Sequence, residues 1–331
     1  MNWRNKAGAA ALIGISALGA VRAARCQDVE NASANWPMIG GTSGNSHYST
    51  LKQINRPNVQ ELQKAWEFDT GQSGGLETTP IVADSILYAF TPTQQIIALD
   101  GATGKLLWKF DSGIKGTQPV RGIAYWTDGK EKRLLAGIMN FIYALDPVTG
   151  MVIPSFGKDG RIDLREDLGR EPELQSVALT SPGVIYKDLL IVGGRNPETL
   201  PALPGDIGAY DVRTGALRWT FHTIPHPGEF GYETWPKDAW KTSGAANNWA
   251  GMAVDLKRGI VFVPTGSVSF RQHCVTEKSG PFLPSQSRKD TGTDARPMSR
   301  RPAISNSLWP EVSALWTLSC MQCIAVGQSW N

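Results

Sequence analysis

The sequence predicts an all-β fold, because one turn motif recurs along the chain and short apolar, strand-like segments flank each copy. The motif Asp-x-x-Thr-Gly begins at Asp100, Asp146 and Asp211, and a weaker copy without the threonine begins at Asp255. A repeat of about 40 to 50 residues built from short strands is typical of the blades of a β-propeller. Repeated hairpins in a β-sandwich are the alternative.

Each copy has the composition of a strand, a tight turn and a second strand. The aspartate side chain can accept backbone N–H groups and glycine tolerates a positive φ, which suits a tight turn. The second strand ends in Trp108 or Trp219 in two copies, where a large ring can wedge between neighbouring blades. Other predicted elements are hairpins at residues 80–90 and 183–193, a strand at 259–266 and a short helix from Val59 to Trp66.

The N-terminus has the composition of a secretory signal peptide. Arg4 and Lys6 precede an apolar stretch from Ala7 to Val21, and Val21-Arg22-Ala23 is a small-residue cleavage pattern. We therefore expect residues 1–25 to be removed and the mature protein to be periplasmic. A retained anchor that associates the protein with the membrane is the alternative, although the apolar run is short for a membrane span.

The charge and the cysteines exclude several function classes. The formal net charge is +3, and no basic patch with interleaved aromatic residues indicates nucleic-acid binding. The four cysteines all lie outside the repeats, so the repeats cannot contain a disulfide. The pair Cys320-x-x-Cys323 has no second ligand pair nearby, so we assign it no metal or redox role. The sequence has no Cys-x-x-Cys-His motif for haem attachment.

Several motifs between residues 36 and 270 resemble those of the pyrroloquinoline-quinone (PQQ) dependent dehydrogenases, and of their glucose-dehydrogenase-like branch in particular. The motifs are Trp36-Pro37, Gly40-Gly41-Thr42, His47-Tyr48-Ser49, Gln53-Ile54-Asn55, Leu76-Glu77-Thr78-Thr79-Pro80, Arg121-Gly122-Ile123-Ala124-Tyr125-Trp126, Thr180-Ser181-Pro182 and Asn247-Asn248-Trp249-Ala250-Gly251. The resemblance implies an eight-bladed propeller that binds PQQ and Ca²⁺ on its axis, of which this chain contains about half.

The resemblance also implies an activity and its partners. The family oxidises a sugar or alcohol by hydride transfer to the quinone, while Ca²⁺ and an arginine polarise a quinone carbonyl and an aspartate acts as general base. The cofactor supplies the redox chemistry and the protein supplies placement and charge. The electron acceptor is then a quinone or a cytochrome. A non-catalytic periplasmic propeller scaffold that binds other proteins is the alternative function.

Eight positions match residues that hold the cofactor or the metal ion in the family. The cofactor-binding candidates are Glu77, Arg121, Thr180, Arg195, Asn247 and Trp249, and the metal-binding candidates are Glu198 and Ser267. Ser181 is an alternative to Thr180, and Asn248 is an alternative to Asn247. Ser267 stands where relatives often have an amide ligand, and serine is a poorer ligand for Ca²⁺. A purely structural role in the core, at a strand end or on the surface is the alternative for five of them, which are Glu77, Arg121, Thr180, Trp249 and Glu198.

The chain departs from the family pattern in three places. Residues 116–120 lack the adjacent cysteines of alcohol-oxidising relatives, which favours the sugar-oxidising branch. The His-Asp-x-Trp-Asp segment with the catalytic aspartate is absent, so no catalytic residue is assigned. Residues 271–331 contain no further turn motif and no clear alternating strand. We therefore expect a partial propeller at 33–270 and a disordered tail at 271–331. The tail arises from a frameshift or is an unusual natural segment. We expect the chain to be inactive on its own.

Overall fold

The computed structural model describes residues 35–116, 118–168, 176–197 and 202–269, together with the backbone of 314–317 and 321–325. These residues form four antiparallel sheets of four strands each, which confirms the predicted all-β fold. The first sheet contains β1 (Ile81–Ala83), β2 (Ile86–Phe90), β3 (Ile96–Asp100) and β4 (Leu106–Phe110). The second contains β5 (Ala124–Thr127), β6 (Lys132–Ile138), β7 (Phe141–Leu145) and β8 (Arg161–Asp163). The third contains β9 (Val184–Tyr186), β10 (Leu189–Val192), β11 (Ile207–Asp211) and β12 (Leu217–Phe221).

The fourth sheet differs from the other three in its strand order. It contains β13 (Ala253–Asp255), β14 (Ile260–Val263), β15 (Ala314–Thr317) and β16 (Met321–Ala325), in the order β13-β14-β16-β15. The first three sheets follow chain order instead. The sequence analysis predicted no strand after residue 270, and this expectation is wrong for β15 and β16, because a hairpin of two short segments pairs with the free edge of β14. The predicted signal peptide and the rest of the tail lie outside the described residues.

The four turn motifs adopt the geometry that their composition predicts. Asp100 Oδ1 accepts hydrogen bonds from the Thr103 backbone N–H at 2.8 Å and from the Thr103 hydroxyl at 2.7 Å. Gly104 closes this turn with a φ of 70° and an N–H bond of 2.8 Å to the Asp100 carbonyl. The same glycine conformation recurs at Gly150, Gly215 and Gly259. The sequence repeat therefore corresponds to one turn structure that occurs four times among the described residues.

Adjacent sheets pack face to face, and the apolar core lies between them. One cluster of buried side chains joins the first sheet to the second, another joins the second to the third, and a third joins the third to the fourth. Trp108 at the outer strand of the first sheet donates from its indole N–H to the Pro147 carbonyl of the second sheet at 2.9 Å. This contact confirms the predicted wedge between neighbouring blades. The Trp219 ring also packs on the core between the third and fourth sheets, but its buried indole N–H has no hydrogen-bond partner among the described residues.

Residues 65–71 pack on the first sheet as an outer strand packs on the following blade. The sequence Trp-Glu-Phe-Asp-Thr-Gly at 66–71 matches Trp-Lys-Phe-Asp-Ser-Gly at 108–113. The Trp66 indole N–H donates to the Gly101 carbonyl at 3.2 Å, and its ring lies against Gly104. The predicted helix from Val59 to Trp66 is therefore wrong beyond one 3₁₀ turn at Val59–Glu61, because Trp66 packs on an adjacent turn in an extended segment.

The N-terminal segment at residues 36–47 lies beside the first strands of the sheets. Trp36 exchanges two backbone hydrogen bonds with Val82 in β1, and the Ser43 carbonyl accepts the N–H of Val254 in β13 at 2.8 Å. The segment therefore connects the first strand of the first sheet to the first strand of the fourth sheet. Among the described residues, no helix has the length and apolar character needed to cross a bilayer.

Candidate functional site

Four of the predicted cofactor residues occupy equivalent positions in the four sheets. Glu77, Arg121, Thr180 and Trp249 each lie three or four residues before the first strand of successive sheets, which are β1, β5, β9 and β13. Because the first strand of every sheet pairs with the second in the same antiparallel way, the loops that lead into the first strands lie at the same face of the fold. The turn motifs at Asp100, Asp146 and Asp211 follow the third strands of their sheets, and the motif at Asp255 follows the first strand of the fourth sheet, so these turns lie at the opposite face.

Hydrogen bonds connect these loops to one another. The Thr79 N–H donates to the Arg121 carbonyl at 2.9 Å, and the Arg121 N–H donates to the Thr180 carbonyl at 2.9 Å. The Ser181 hydroxyl donates to the Trp249 carbonyl at 2.6 Å. The loops of all four sheets are thus fixed relative to one another by backbone hydrogen bonds and by the Ser181 hydroxyl, which is the condition for a pre-organised binding site.

Arg121, Thr180 and Trp249 come together in one cluster. The Arg121 guanidinium lies 5.5 Å from the centre of the Trp249 ring, within range of a cation–π contact. Its Nη1 donates to the Thr180 carbonyl at 3.3 Å and to the Trp249 carbonyl at 3.4 Å. Within the described parts of the chain Arg121 forms no ion pair with a carboxylate. The guanidinium therefore has N–H donors available to an anionic ligand.

The burial of the cluster is uneven, and this matters for binding. Trp249 is 48 % exposed although it is a large aromatic residue, whereas Thr180 is only 1 % exposed. The Thr180 hydroxyl oxygen is buried and has no hydrogen-bond partner among the described residues. A buried hydroxyl without a partner is unfavourable, so a polar ligand that reaches it is stabilised.

Asn247 is a rigid neighbour of this cluster. Its side-chain amide nitrogen donates to the Gly194 carbonyl at 2.7 Å, and its backbone carbonyl accepts the Gly266 N–H at 3.0 Å. A Cβ atom built on Gly266 would lie 3.7 Å from the Trp249 indole nitrogen and 3.8 Å from Asn247 Oδ1. The Asn247 amide and the Trp249 indole therefore face the same small space. Asn248 instead donates to the carbonyls of Gly251 and Pro264, which is a structural role.

Arg195 belongs to the rim of the site. It is exposed, and its Nη1 donates to Gln118 Oε1 at 2.9 Å. Its backbone pairs with Ala178, two residues before Thr180. Sequence analysis did not single out Gln118, which lies in the stretch where the family places its adjacent cysteines. The only sequence signal for Gln118 was the departure of that stretch from the family pattern.

Glu77 and Ser267 form no side-chain hydrogen bond or ion pair with the cluster within the part of the chain that the structure describes. Glu77 is exposed, and its loop reaches the cluster through the Thr79 backbone. Ser267 is exposed, and its carbonyl accepts the Ala246 N–H at 3.1 Å. Glu198 lies outside the described residues, so its predicted role as a calcium ligand stays a prediction. The same holds for Ser267 as a metal ligand, because no described carboxylate accompanies it.

A small apolar cavity lies next to the residues that follow Arg121, Thr180 and Trp249 in the chain. It has a volume of about 60 Å³ and is lined by the N-terminal segment, by Ile123 and Ala124, and by residues 182–185 and 250–254. Ile39 fills the space next to Gly122, where an added Cβ would come within 2.9 Å of its side chain. The N-terminal segment thus packs against the residues that follow Arg121, Thr180 and Trp249.

The carboxylates of Asp100, Asp211 and Asp255 in the turn motifs have a pKa below the usual range, because hydrogen bonds within the turns favour their ionised form. Partial burial opposes ionisation of Asp211, but hydrogen bonds from Arg218, Thr214 and the Arg213 backbone outweigh it and lower its pKa to about 2. Arg218 Nη2 lies 2.8 Å from Asp211 Oδ2. These carboxylates stabilise the fold and have none of the features of a reactive group.

Comparison with known proteins decides the family. Residues 36–280 match the family model "PQQ: Glucose/ethanol/alcohol dehydrogenase, beta-propeller domain". The chain belongs to the PQQ-dependent dehydrogenases. The cofactors of this family are PQQ and a Ca²⁺ or lanthanide ion.

Individual relatives agree with this assignment. The chain is 32 % identical over 276 residues to a quinate/shikimate dehydrogenase (quinone) of Acinetobacter baylyi, covering 73 % of this chain and 34 % of the relative. It is 29 % identical to quinoprotein glucose dehydrogenase A of Acinetobacter calcoaceticus, covering 71 % and 33 %. The solved quinohemoprotein alcohol dehydrogenase of Comamonas testosteroni superposes with a TM-score of 0.61 at 26 % identity, covering 73 % and 37 %. The fold is therefore part of a PQQ dehydrogenase propeller, and the chain spans about a third of the length of these relatives.

The cluster fits the chemistry of PQQ, which has three carboxylates and a flat conjugated ring. The exposed Trp249 ring offers a flat apolar surface, and Arg121 offers cationic N–H donors beside it. The buried Thr180 hydroxyl lacks a partner, and the buried Asn247 amide faces the same space. Arginine and hydroxyl donors are the groups that bind carboxylates in proteins. Arg121, Thr180, Asn247 and Trp249 are thus suited to hold PQQ, with Arg195 and Glu77 at the edge.

Proposed function

We propose that this chain forms the PQQ-binding part of a dehydrogenase that oxidises an alcohol or a sugar. The observation that carries the proposal is the contact between the Arg121 guanidinium and the Trp249 ring beside the buried, unpartnered Thr180 hydroxyl. When bound, PQQ supplies a quinone that accepts a hydride from the carbon atom being oxidised. The residues of this chain bind, orient and polarise, and they transfer no electrons themselves.

Each residue of the cluster has a separate task in this proposal. Trp249 positions the flat ring, and Arg121 donates hydrogen bonds to oxygen atoms that gain negative charge. Thr180 and Asn247 orient the ligand through neutral hydrogen bonds. The loops are linked through Thr79 and Ser181, so the donors need little rearrangement when the ligand enters.

The substrate, the metal ion and the cellular location are further parts of the proposal. Relatives named for quinate, alcohol and glucose match at similar identity, and the missing cysteine pair favours a sugar. We assign Ca²⁺ to the metal site, with Glu198 and Ser267 as ligands. The N-terminal sequence supports secretion to the periplasm, where a quinone or a cytochrome accepts the electrons.

We also propose that residues 1–331 alone do not turn over substrate. The family's general-base segment has no counterpart in the sequence, and relatives are about three times as long as the matched region. Purified chain with PQQ, Ca²⁺ and an electron-accepting dye should therefore give no dye reduction with glucose, ethanol or quinate. Substrate-dependent reduction of the dye would contradict this part of the proposal.

Binding of PQQ tests the function itself. The purified chain with Ca²⁺ should retain PQQ in equilibrium dialysis, and Arg121→Met should weaken binding at least tenfold. Arg258→Met is the matched control, because Arg258 is exposed in a turn motif on the opposite face and pairs with Asp255. Absence of binding would favour the non-catalytic scaffold, and equal binding by the two variants would contradict the role of Arg121.

A further inference from the structure

A cluster of metal-binding side chains lies in the loop that follows β12. His222, His226 and Glu229 each offer one ligand atom, and these atoms all lie within 4.8 Å of one another. None of the residues assigned to PQQ belongs to this cluster. The spacing His-x-x-x-His-x-x-Glu places all three residues at the start of the long connection between the third and fourth sheets.

Direct contacts hold the three side chains together. Glu229 Oε1 lies 2.7 Å from His222 Nδ1, and Glu229 Oε2 accepts the His226 backbone N–H at 2.7 Å. The two imidazole rings stack with their centres 3.7 Å apart and an angle of 13° between their planes. The three side chains therefore form one contiguous cluster.

The surrounding loop makes this arrangement rigid. The Thr223 N–H donates to Asp206 Oδ1 at 3.1 Å, which fixes the residue after His222 to the start of β11. The Glu229 N–H donates to the His226 carbonyl at 3.0 Å, which closes a turn between two of the ligands. Trp240 in α1 (Ala239–Thr242) packs on the His226 ring at 4.6 Å. Pro225 and Pro227 restrict the backbone on both sides of His226.

We propose that His222, His226 and Glu229 bind a zinc ion. Two imidazoles and one carboxylate are a known zinc donor set, in which a water or another ligand takes the fourth position. Tetrahedral coordination with bonds of about 2.0 to 2.2 Å separates ligand atoms by roughly 3.3 Å. The three ligand atoms already lie within 4.8 Å of one another, and the stacked rings have to turn so that both lone pairs converge on the ion. The side chains of His222 and Glu229 are 25 % and 41 % exposed, which leaves a path for the ion and room for a water ligand.

A second carboxylate supports the site from the other side of His222. Asp206 Oδ2 lies 4.0 Å from His222 Nε2. Carboxylates beside the second nitrogen of a metal-binding histidine orient the ring and increase its basicity. The ion would replace the hydrogen bond between His222 and Glu229 and join the two imidazoles in one coordination sphere.

Calorimetric titration of Zn²⁺ into the chelator-treated full chain tests this proposal. The titration is made with excess Ca²⁺ and without PQQ, so its outcome is independent of the proposed function. We expect one Zn²⁺ per chain with a dissociation constant in the micromolar range or below. His226→Ala and Glu229→Gln should each weaken binding at least tenfold. Glu233→Gln in the same loop is the matched control, because Glu233 is exposed and outside the cluster.

Failure of the wild-type chain to bind Zn²⁺ would overturn the proposal. Binding that is unchanged in both variants would also overturn it and would indicate the cysteines as ligands. Circular dichroism without metal checks that each variant is folded. If His226→Ala does not fold, the proposal is tested with Glu229→Gln alone, because this substitution keeps the shape of the side chain. With Co²⁺ in place of Zn²⁺, the wild type should show the visible absorption of tetrahedral Co²⁺, and Glu229→Gln should lose it.

Discussion

Replacing Gly150 with alanine tests how one blade packs on the next. Gly150 has a φ of 71°, and a Cβ atom at this position would lie 2.5 Å from the Trp108 ring. Trp108 is held by the hydrogen bond from its indole to the Pro147 carbonyl. The ring therefore has to move away from the turn, and this movement disrupts the contact between the first and second sheets.

The expected loss of stability has two parts. A residue other than glycine in the left-handed region costs about 1 to 2 kcal/mol. Overpacking a tight contact adds about 1 to 3 kcal/mol. Gly71 separates the two parts, because its φ is 65° and no atom lies within 4 Å of its added Cβ. Gly71→Ala should show only the backbone part, so Gly150→Ala should be less stable than Gly71→Ala by about 1 to 3 kcal/mol.

Urea unfolding of the full chain, followed by tryptophan fluorescence, gives the free energy of unfolding for each variant. Equal losses for Gly150→Ala and Gly71→Ala would refute the proposed packing of Trp108 on the turn. A Trp108→Leu background provides a further check. The smaller side chain leaves room for the new methyl group, so the extra cost of Gly150→Ala should largely disappear there.

Two further predictions concern charge and packing. The pKa of Asp211 is about 2 when folded, below its usual value, so the ionised group stabilises the fold above about pH 4 and this contribution is lost as the pH falls towards 2. Asp211→Asn should therefore reduce the loss of stability between pH 4 and 2 by about 1 to 2 kcal/mol, and an unchanged pH profile in urea unfolding would contradict this. Trp66→Ala should destabilise the chain by about 2 to 4 kcal/mol, because the Trp66 ring packs on Gly104. Leu62→Ala is the control and should have little effect on the unfolding midpoint, because Leu62 is exposed. Equal effects of the two substitutions would contradict the packing of residues 65–71 on the first sheet.

The sequence predicted the parts of the fold that depend on local chemistry. The turns at Asp100, Asp146, Asp211 and Asp255 were predictable because the aspartate and glycine act within four or five residues. Residues 65–71 were misread because they contact the first sheet rather than their own neighbours in sequence. The matching motif at 66–71 was the available signal. Strand β16 pairs with β14, more than fifty residues earlier, and β15 pairs with β16; short segments of this kind give little local signal.

The candidate site was predictable to the extent that the family motifs are present. Arg121, Thr180 and Trp249 were named from those motifs, and the structure brings them into contact. The bond between Gln118 and Arg195 was not predictable, because it joins loops far apart in sequence. The histidine cluster was missed although its ligand spacing is visible in the sequence, since its geometry depends on how the loop after β12 closes.

The coupling between Arg121 and Thr180 in PQQ binding tests the central claim most directly. Dissociation constants for PQQ are measured by equilibrium dialysis with Ca²⁺ for the wild type, Arg121→Met, Thr180→Val and the double variant. If both residues hold one ligand in one cluster, each single variant binds more weakly, and the double variant departs from additivity by about 0.5 to 3 kcal/mol. Unchanged binding in the single variants, or strictly additive losses, would contradict a shared PQQ site.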